Sequence, residues 1–409
     1  MSTTLPPTYR TLLRERNFAL LFAGQAISRL GDGLHEVALL WLVLDLTGSA
    51  LITGTVLAVQ LLPTLLFGLI AGAMVDRWDR RRTMIAADAA RVALVLLIPL
   101  LNSLGALSLW AIYVISFFLA TFGLLFRPAL MASLPNVVPG EALLPANALM
   151  GLTRQLGGIA GPALGGLLVS VTGLNSVFYV DATTFGVSGY ALYLATVPAD
   201  VRTTASLTVR AVAREIGEGL AYMRSQQAVL TLAVLGILSH AYWGAIPVVA
   251  PVFATRALGG GSATYGLLLS SMNLGMVAGG MLIGSAGRGR HRGWMVVAGY
   301  AGMAAGITSL GFARTSAQAM MLIALSGAVS MLSVVPFFAL LQDIVPDHYR
   351  GRVLSTDESL EHGILPIVYG TAGYLADAVG TRETFWVIGG VMLLVTLAGV
   401  LLKPIRAAR

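Results

Sequence analysis

The sequence predicts an all-α membrane protein, with twelve transmembrane helices in two pseudo-symmetric six-helix bundles. Three observations predict it. The chain is 56% hydrophobic and only 11% charged over 409 residues, with a mean hydropathy of +0.81; a soluble domain carries roughly a quarter charged residues. Apolar runs of about 20 residues, long enough to cross ~30 Å of hydrocarbon, recur from end to end. The two halves also echo each other. "TGSALITG" at 47–54 is answered by "GGSATYG" at 260–266, and "VVPGEALLPANA" at 137–148 by "IVPDHYRGRVLS" at 344–355. Two parallel six-span halves are a transporter design, with solute bound near the midplane between them.

In order, the spans fall at 18–44, 51–75, 84–103, 107–131, 147–171 and 175–197, then 228–254, 263–287, 293–313, 316–342, 353–378 and 384–402. Residues 1–197 form the first bundle, 198–227 a cytoplasmic linker and 228–409 the second bundle. The first run lacks a small-residue cleavage site and exceeds a signal-peptide core, so it reads as a retained helix. An even number of spans puts both termini on one side. Outside the spans, every lysine and arginine lies on that side except Arg256, Arg314 and Arg382. The positive-inside rule makes that side the cytoplasm. The net charge of +7 follows from this asymmetry and requires no nucleic-acid partner. Within the linker, Val209, Val212, Ile216 and Met223 share one helical face, as expected of an amphipathic surface helix tethering the halves.

Several chemistries are excluded. The chain has no cysteine, hence no disulfide, thiolate metal site or cysteine nucleophile. Its only lysine is Lys403, so no Walker-type loop exists and ATP does not power it. "HEVAL" at 35–39 begins like a zincin motif but lacks the second histidine. No nucleophile–base or metal-ligand constellation points to an enzyme, and no cofactor is expected beyond a proton gradient.

"GAMVDRWDRR" at 72–81 resembles the G-x-x-x-D-R-x-x-R-[KR] signature of the major facilitator superfamily, carried here by Gly72, Asp76, Arg77, Arg80 and Arg81. The resemblance implies a conformational gate in which Asp76 meets the start of the eleventh span near Arg352, a charge–dipole contact. Asp79 stands where the signature has glycine. "GGIAGPALGG" at 157–166 matches the antiporter motif at Gly157, Gly161, Pro162, Gly165 and Gly166. Its glycines permit close backbone approach and its proline favours a kink. Small residues Gly275, Gly279, Gly280 and Gly284 form a comparable face on the eighth span. Together with "ADAAR" at 87–91 and "VPDHYRGRV", these stretches resemble the drug:proton antiporter branch that holds macrolide-efflux proteins and the enterobactin exporter. The R-x-x-Q-G element of many drug antiporters is absent from the fourth span. The resemblance implies a monomeric, proton-coupled exporter of amphiphilic small molecules such as drugs or siderophores, in a bacterial inner membrane and in contact with its lipids. A transporter of lysophospholipid or another lipid is the alternative.

Charges inside the spans point to the site. An ionised group at the bilayer centre costs ~2.5–3.5 kcal/mol on insertion scales. "SRLGDGLHEV" nevertheless puts Arg29, Asp32, His35 and Glu36 into the first span. At about 100° per residue all four fall within an arc of about 120°, so they are expected to face one environment. Gly31 and Gly33 flank Asp32 and would let the backbone flex or a ligand approach. Burial favours a protonated Asp32 and the neighbouring guanidinium an ionised one, the tension a proton-loading carrier needs. Asp32 is therefore the first proton-coupling candidate, Glu36 the second and His35 a relay. The other reading is a static network held by Arg29. A second acidic cluster, Asp357, Glu358 and Glu361 beside His362, begins the eleventh span. It reads either as a solvated gate partner for Arg77 and Arg80 or as a second protonation site. Asp88 with Arg91, Arg127 and Arg154 read as structural pairs, and His240 as a hydrogen-bonded structural residue. Tyr113, Phe117, Phe122, Tyr242, Trp243, Phe337 and Phe338 are candidates for a substrate-cavity wall, since aromatic walls suit amphiphilic cations.

Overall fold

A computed structural model describes residues 9–198, 209–285 and 292–401. Every regular element among them is helical. A short α1 (Tyr9–Leu12) precedes α2 (Arg16–Thr47), α3 (Ala50–Arg77), α4 (Arg80–Ser103), α5 (Leu109–Val137), α6 (Leu143–Thr172) and α7 (Leu174–Leu194). Then follow α8 (Val209–Ser225), α9 (Gln227–Val252), α10 (Ser262–Ser285), α11 (Arg292–Leu310), α12 (Ser316–Ile344), α13 (Asp347–Ala378) and α14 (Thr381–Leu401). All except α1 and α8 correspond to the predicted spans. The helices outrun the apolar windows: α5 passes the predicted end at 131 to reach Val137, and α13 starts at Asp347 rather than at 353. A helix satisfies its own backbone in water as well as in lipid, whereas hydropathy marks only the part in hydrocarbon.

Among the described residues, nine helices are long and apolar enough to cross a membrane. The long helices that fall short are α2, α7 and α13. These carry Asp32 and Glu36, Asp181, and Asp357 to Glu361. Buried or paired acids also occur on a qualifying helix, at Asp88 of α4.

Helix starts are fixed locally. Asp79 accepts a hydrogen bond from the Arg82 N–H at 2.9 Å and caps α4. That explains its presence where the superfamily signature has glycine. Ser108 caps α5 and Thr315 caps α12 in the same way, and Gln318 reaches back to the Arg314 N–H at 3.0 Å. Gly173, at φ +86°, turns the chain between α6 and α7 within one residue.

The chain divides into two compact units, residues 1–39 with 59–207, and residues 40–58 with 208–409. In the first, α4 packs between α5 and α7, over a core that includes Phe18, Met84, Phe126 and Leu134. In the second, α12 packs on α10 and α11, and α13 on α9, α14 and α8. The second unit includes the start of α3, whose N-terminus Asp377 of α13 caps: its carboxylate accepts from Ala50 N–H at 3.0 Å, Leu51 N–H at 2.9 Å and the Ser49 hydroxyl at 2.6 Å.

The linker helix α8 docks on protein instead of lying free on a surface. Glu218 meets Arg352 at 3.2 Å, Tyr222 stacks on Tyr349 at 4.4 Å, and Met223 is buried. The side chains of Val209, Val212 and Ile216 lie outside the described residues.

Candidate functional site

The antiporter motif forms a seam between α6 and α2. A Cβ on Gly157 would lie 2.6 Å from the Arg29 carbonyl oxygen, one on Gly161 2.8 Å from Gly33 Cα, and one on Gly165 2.9 Å from Leu34 Cα. Pro162 and Gly166 are buried beside them. No side chain fits there, so the motif's spacing reproduces one face of a helix in backbone contact. Gly31 is used in the same way against α7, where its Cβ would meet Thr184 and lie 2.7 Å from Asp181 Oδ1. Gly31 and Gly33 are therefore packing positions. The expectation of a flexing backbone or a ligand approach at them does not hold, because neighbouring helices fill that space.

This close approach brings a buried polar cluster together. His35 Nδ1 lies 2.9 Å from Asp181 Oδ2, with the side chains 9% and 0% exposed. The His35 ring meets Phe178 edge-on at 5.6 Å; both its ring nitrogens and Asp181 Oδ2 are buried, and none makes a hydrogen bond of good geometry. Asp88, also buried, faces Arg91 at 3.6 Å, longer than a hydrogen bond. The Arg91 guanidinium lies over the rings of Phe185 at 4.9 Å and Phe126 at 5.3 Å. Gln25 donates to the Ser188 hydroxyl at 3.4 Å on the same side of α7. Asp181 was missed by the sequence reading. Its signal was present, a lone acid inside the apolar run "VFYVDATTF".

The four charges of α2 do not share one environment, as the helical arc had predicted. His35, at the edge of that arc, is enclosed against α7, whereas Glu36 is exposed. Asp32 is paired with Arg29 at 3.1 Å, and both are partly exposed. The reason is geometric: α6 and α7 come so close that only the edge of the arc lies under them.

The second acidic cluster sits against α9. Glu361 lies 3.8 Å from His240 Nδ1, and Asp357 is half-buried near Gly236 and Phe337. Glu358 is exposed, and its backbone carbonyl lies 2.8 Å from His362 Nδ1. His240 is thus a carboxylate partner, more than the hydrogen-bonded structural residue expected of it.

The aromatic candidates separate. Tyr242 is fully buried with its hydroxyl 2.7 Å from Ser326 Oγ, and Phe337 is buried as well. Both belong to helix packing and not to a cavity wall. Trp243 packs edge-on against Tyr242 and is partly exposed, and Phe338 is exposed. Tyr113 and Phe117 are partly exposed, and Phe117 meets Phe67 and Phe118 edge-on. Phe122 lines a pocket of about 560 Å³ with Trp78, Asp79 and Leu125. On α10, Gly275 and Gly279 press on the backbone of Ala324 and Ala328, while Gly280 and Gly284 meet open space. Only half of that small-residue face is a packing face.

The loop signature also has a visible role. Arg80 donates to the Ala132 carbonyl at 2.8 Å, and Arg81 donates to the Leu192 carbonyl at 2.9 Å and to that of Tyr193. The Arg81 contacts put a cation at the C-terminal end of α7, where the helix dipole favours it. Arg77 is exposed and lines the pocket with Phe122. Gly72 and the Asp76 side chain lie outside the described residues, and Arg352 pairs with Glu218.

Long helices closed by glycine seams, with ionisable groups held at membrane depth, define a polytopic transporter of the major facilitator fold. Solved structures agree on the fold. A POT family transporter bound to a thioalcohol-conjugated peptide superposes with a TM-score of 0.75 at 13% identity, covering 96% of this chain and 97% of that one. A D-xylose–proton symporter gives 0.69 at 16% identity, covering 94% and 97%. The model of the family described as transmembrane secretion effector matches residues 8–408, and the chain belongs to that family, within the major facilitator superfamily. It is similar to macrolide efflux protein A of Streptococcus pyogenes, 26% identical over 395 residues, 95% of this chain and 96% of the relative. It is also similar to the multidrug efflux pump Tap of Mycolicibacterium fortuitum, 28% identical over 396 residues, 95% of each.

Proposed function

We propose that the chain is a proton-coupled exporter of amphiphilic small molecules, a drug antiporter of a bacterial inner membrane with both termini in the cytoplasm. One observation carries the reading: in a chain similar over nearly its full length to proteins named for macrolide and multidrug efflux, the predicted first span carries Arg29, Asp32, His35 and Glu36, with His35 enclosed against Asp181 of α7. Intramembrane acids of this kind serve ion pathways more often than they serve packing. Asp32 and Glu36 are partly or fully exposed and take up the proton that enters as solute leaves, with His35 passing it to or from Asp181. Glycine-seamed pairs such as α2 and α6 move as units, since backbone contact leaves no slack for independent shifts. A proton gradient is the sole energy source, and no ATP or cofactor takes part.

The test uses the full chain in proteoliposomes with an imposed proton gradient and ethidium as the reporter. Gradient-driven ethidium movement that Asp32→Asn uncouples supports the reading. Wild-type rates in Asp32→Asn remove the proton site, and gradient-independent movement in the wild type removes the antiport itself.

A further inference from the structure

Arg127 and Arg154 were expected to form structural ion pairs, and they do not. Among the described residues neither lies within ion-pair distance of an acid, and both are exposed. They converge instead with Arg29 on a pocket of about 190 Å³ in the first unit. The like charges of Arg127 and Arg29 both act on Arg154. Arg29 has Asp32 as its partner at 3.1 Å, which leaves two guanidinium charges without a counter-charge.

Their position in the spans makes this unusual. Arg127 stands ten residues before the end of α5 and Arg154 eleven after the start of α6. At 1.5 Å per residue each is about 15 Å from its helix end. Both fall inside the predicted spans 107–131 and 147–171, near their cytoplasmic ends, where a guanidinium without a counter-charge is costly to keep beside hydrocarbon. The remaining lining includes the apolar Leu130, Met131 and Met150 and the neutral polar Gln25 and Asn147. Guanidinium forks bind planar and tetrahedral oxyanions bidentately, and methionine-rich walls adapt to varied hydrocarbon.

We infer that this pocket of Arg29, Arg127 and Arg154 binds the phosphate or carboxylate group of an amphiphile, with its hydrocarbon against Leu130, Met131 and Met150. The inference rests on the exporter reading for its purpose, which is to hold cargo by an acidic group, but not for its binding chemistry. Two sources supply that chemistry, an exported amphiphilic acid and the headgroup of an anionic membrane lipid.

The experiment measures binding of dodecyl phosphate to the full chain in neutral detergent, with dodecyltrimethylammonium as the control. Loss of each fork is expected to weaken dodecyl phosphate by about tenfold or more, so Arg127→Gln with Arg154→Gln loses measurable binding. Arg127→Lys with Arg154→Lys retains charge and is expected to keep part of the affinity, which separates binding from misfolding. Unchanged dodecyl phosphate affinity in the double glutamine variant overturns the site, as does equal wild-type affinity for dodecyltrimethylammonium. Two further arms identify the source. Phosphatidylglycerol that copurifies with wild type but not with the double glutamine variant, seen by native mass spectrometry, assigns the lipid headgroup. Gradient-driven export of dodecyl phosphate from phosphatidylcholine proteoliposomes, lost in the double glutamine variant, assigns the cargo. Wild-type protein that binds dodecyl phosphate but moves no solute overturns the exporter reading and supports the anion site.

Discussion

Among the described residues, each unit of this protein contains one histidine–carboxylate pair, and the two are built differently. His35 and Asp181 approach to 2.9 Å with both side chains buried, because Gly31 lets α7 lie on the backbone of α2. His240 and Glu361 stand 3.8 Å apart, and the Glu361 side chain is 44% exposed. Identical chemistry therefore serves two situations. A fully buried pair cannot lose one member without stranding the other away from water, so this pair is part of the packing. In the second pair only the carboxylate is screened by water, since the His240 side chain is 13% exposed. The difference teaches that intramembrane histidines and acids cannot be ranked by residue type; what separates these two pairs is how far the packing encloses the acid, completely at Asp181 and only in part at Glu361.

The sharpest way to break this comparison is to remove one acid from each pair. Asp181→Ala strands His35 and is expected to cost about 3–5 kcal/mol, the usual cost of leaving one member of a buried ion pair alone. Thermal unfolding in detergent would show this as a large fall in Tm, with the isosteric Asp181→Asn falling less. A Tm for Asp181→Ala equal to wild type would remove the claim that this pair is part of the packing. Overpacking comes next: Gly161→Leu drives a side chain into Gly33 and is expected to cost about 1–3 kcal/mol, whereas Gly280→Leu, facing open space, should leave Tm unchanged. Tyr242→Phe removes one buried hydroxyl partner of Ser326 and should cost about 1 kcal/mol. Glu361→Gln is the smallest, within about 1 kcal/mol. A Tm loss at Glu361 as large as that at Asp181 would erase the distinction between the pairs.

Much of the fold was legible in the sequence. Span positions follow from hydropathy because lipid admits only helices whose backbone is internally bonded, and an apolar run of the right length leaves few alternatives. The antiporter motif was legible for a related reason: glycines at fixed helical spacing have few uses other than close approach. The site was only partly legible. Arg29 and Asp32 could be paired from their spacing, three residues apart on one helix. Asp181 could not be joined to His35, since they are far apart in sequence and only the α2–α7 contact unites them. The aromatic candidates failed for a similar reason. An aromatic residue in an apolar span looks the same whether it lines a cavity or, like Tyr242 and Phe337, is sealed among neighbouring helices.

The sequence by itself determined the positions of the long apolar helices, the caps at Asp79, Ser108 and Thr315, the small-residue seam and the presence of charge on α2, because each depends on residues a few positions apart. Only the tertiary structure decided which charges are matched. It placed Asp181 under His35, left Glu36 in the open and gathered Arg127 and Arg154 around a pocket without acids of their own. Charge pairing in a membrane bundle is settled by which helix faces touch, and that is a property of packing between distant segments.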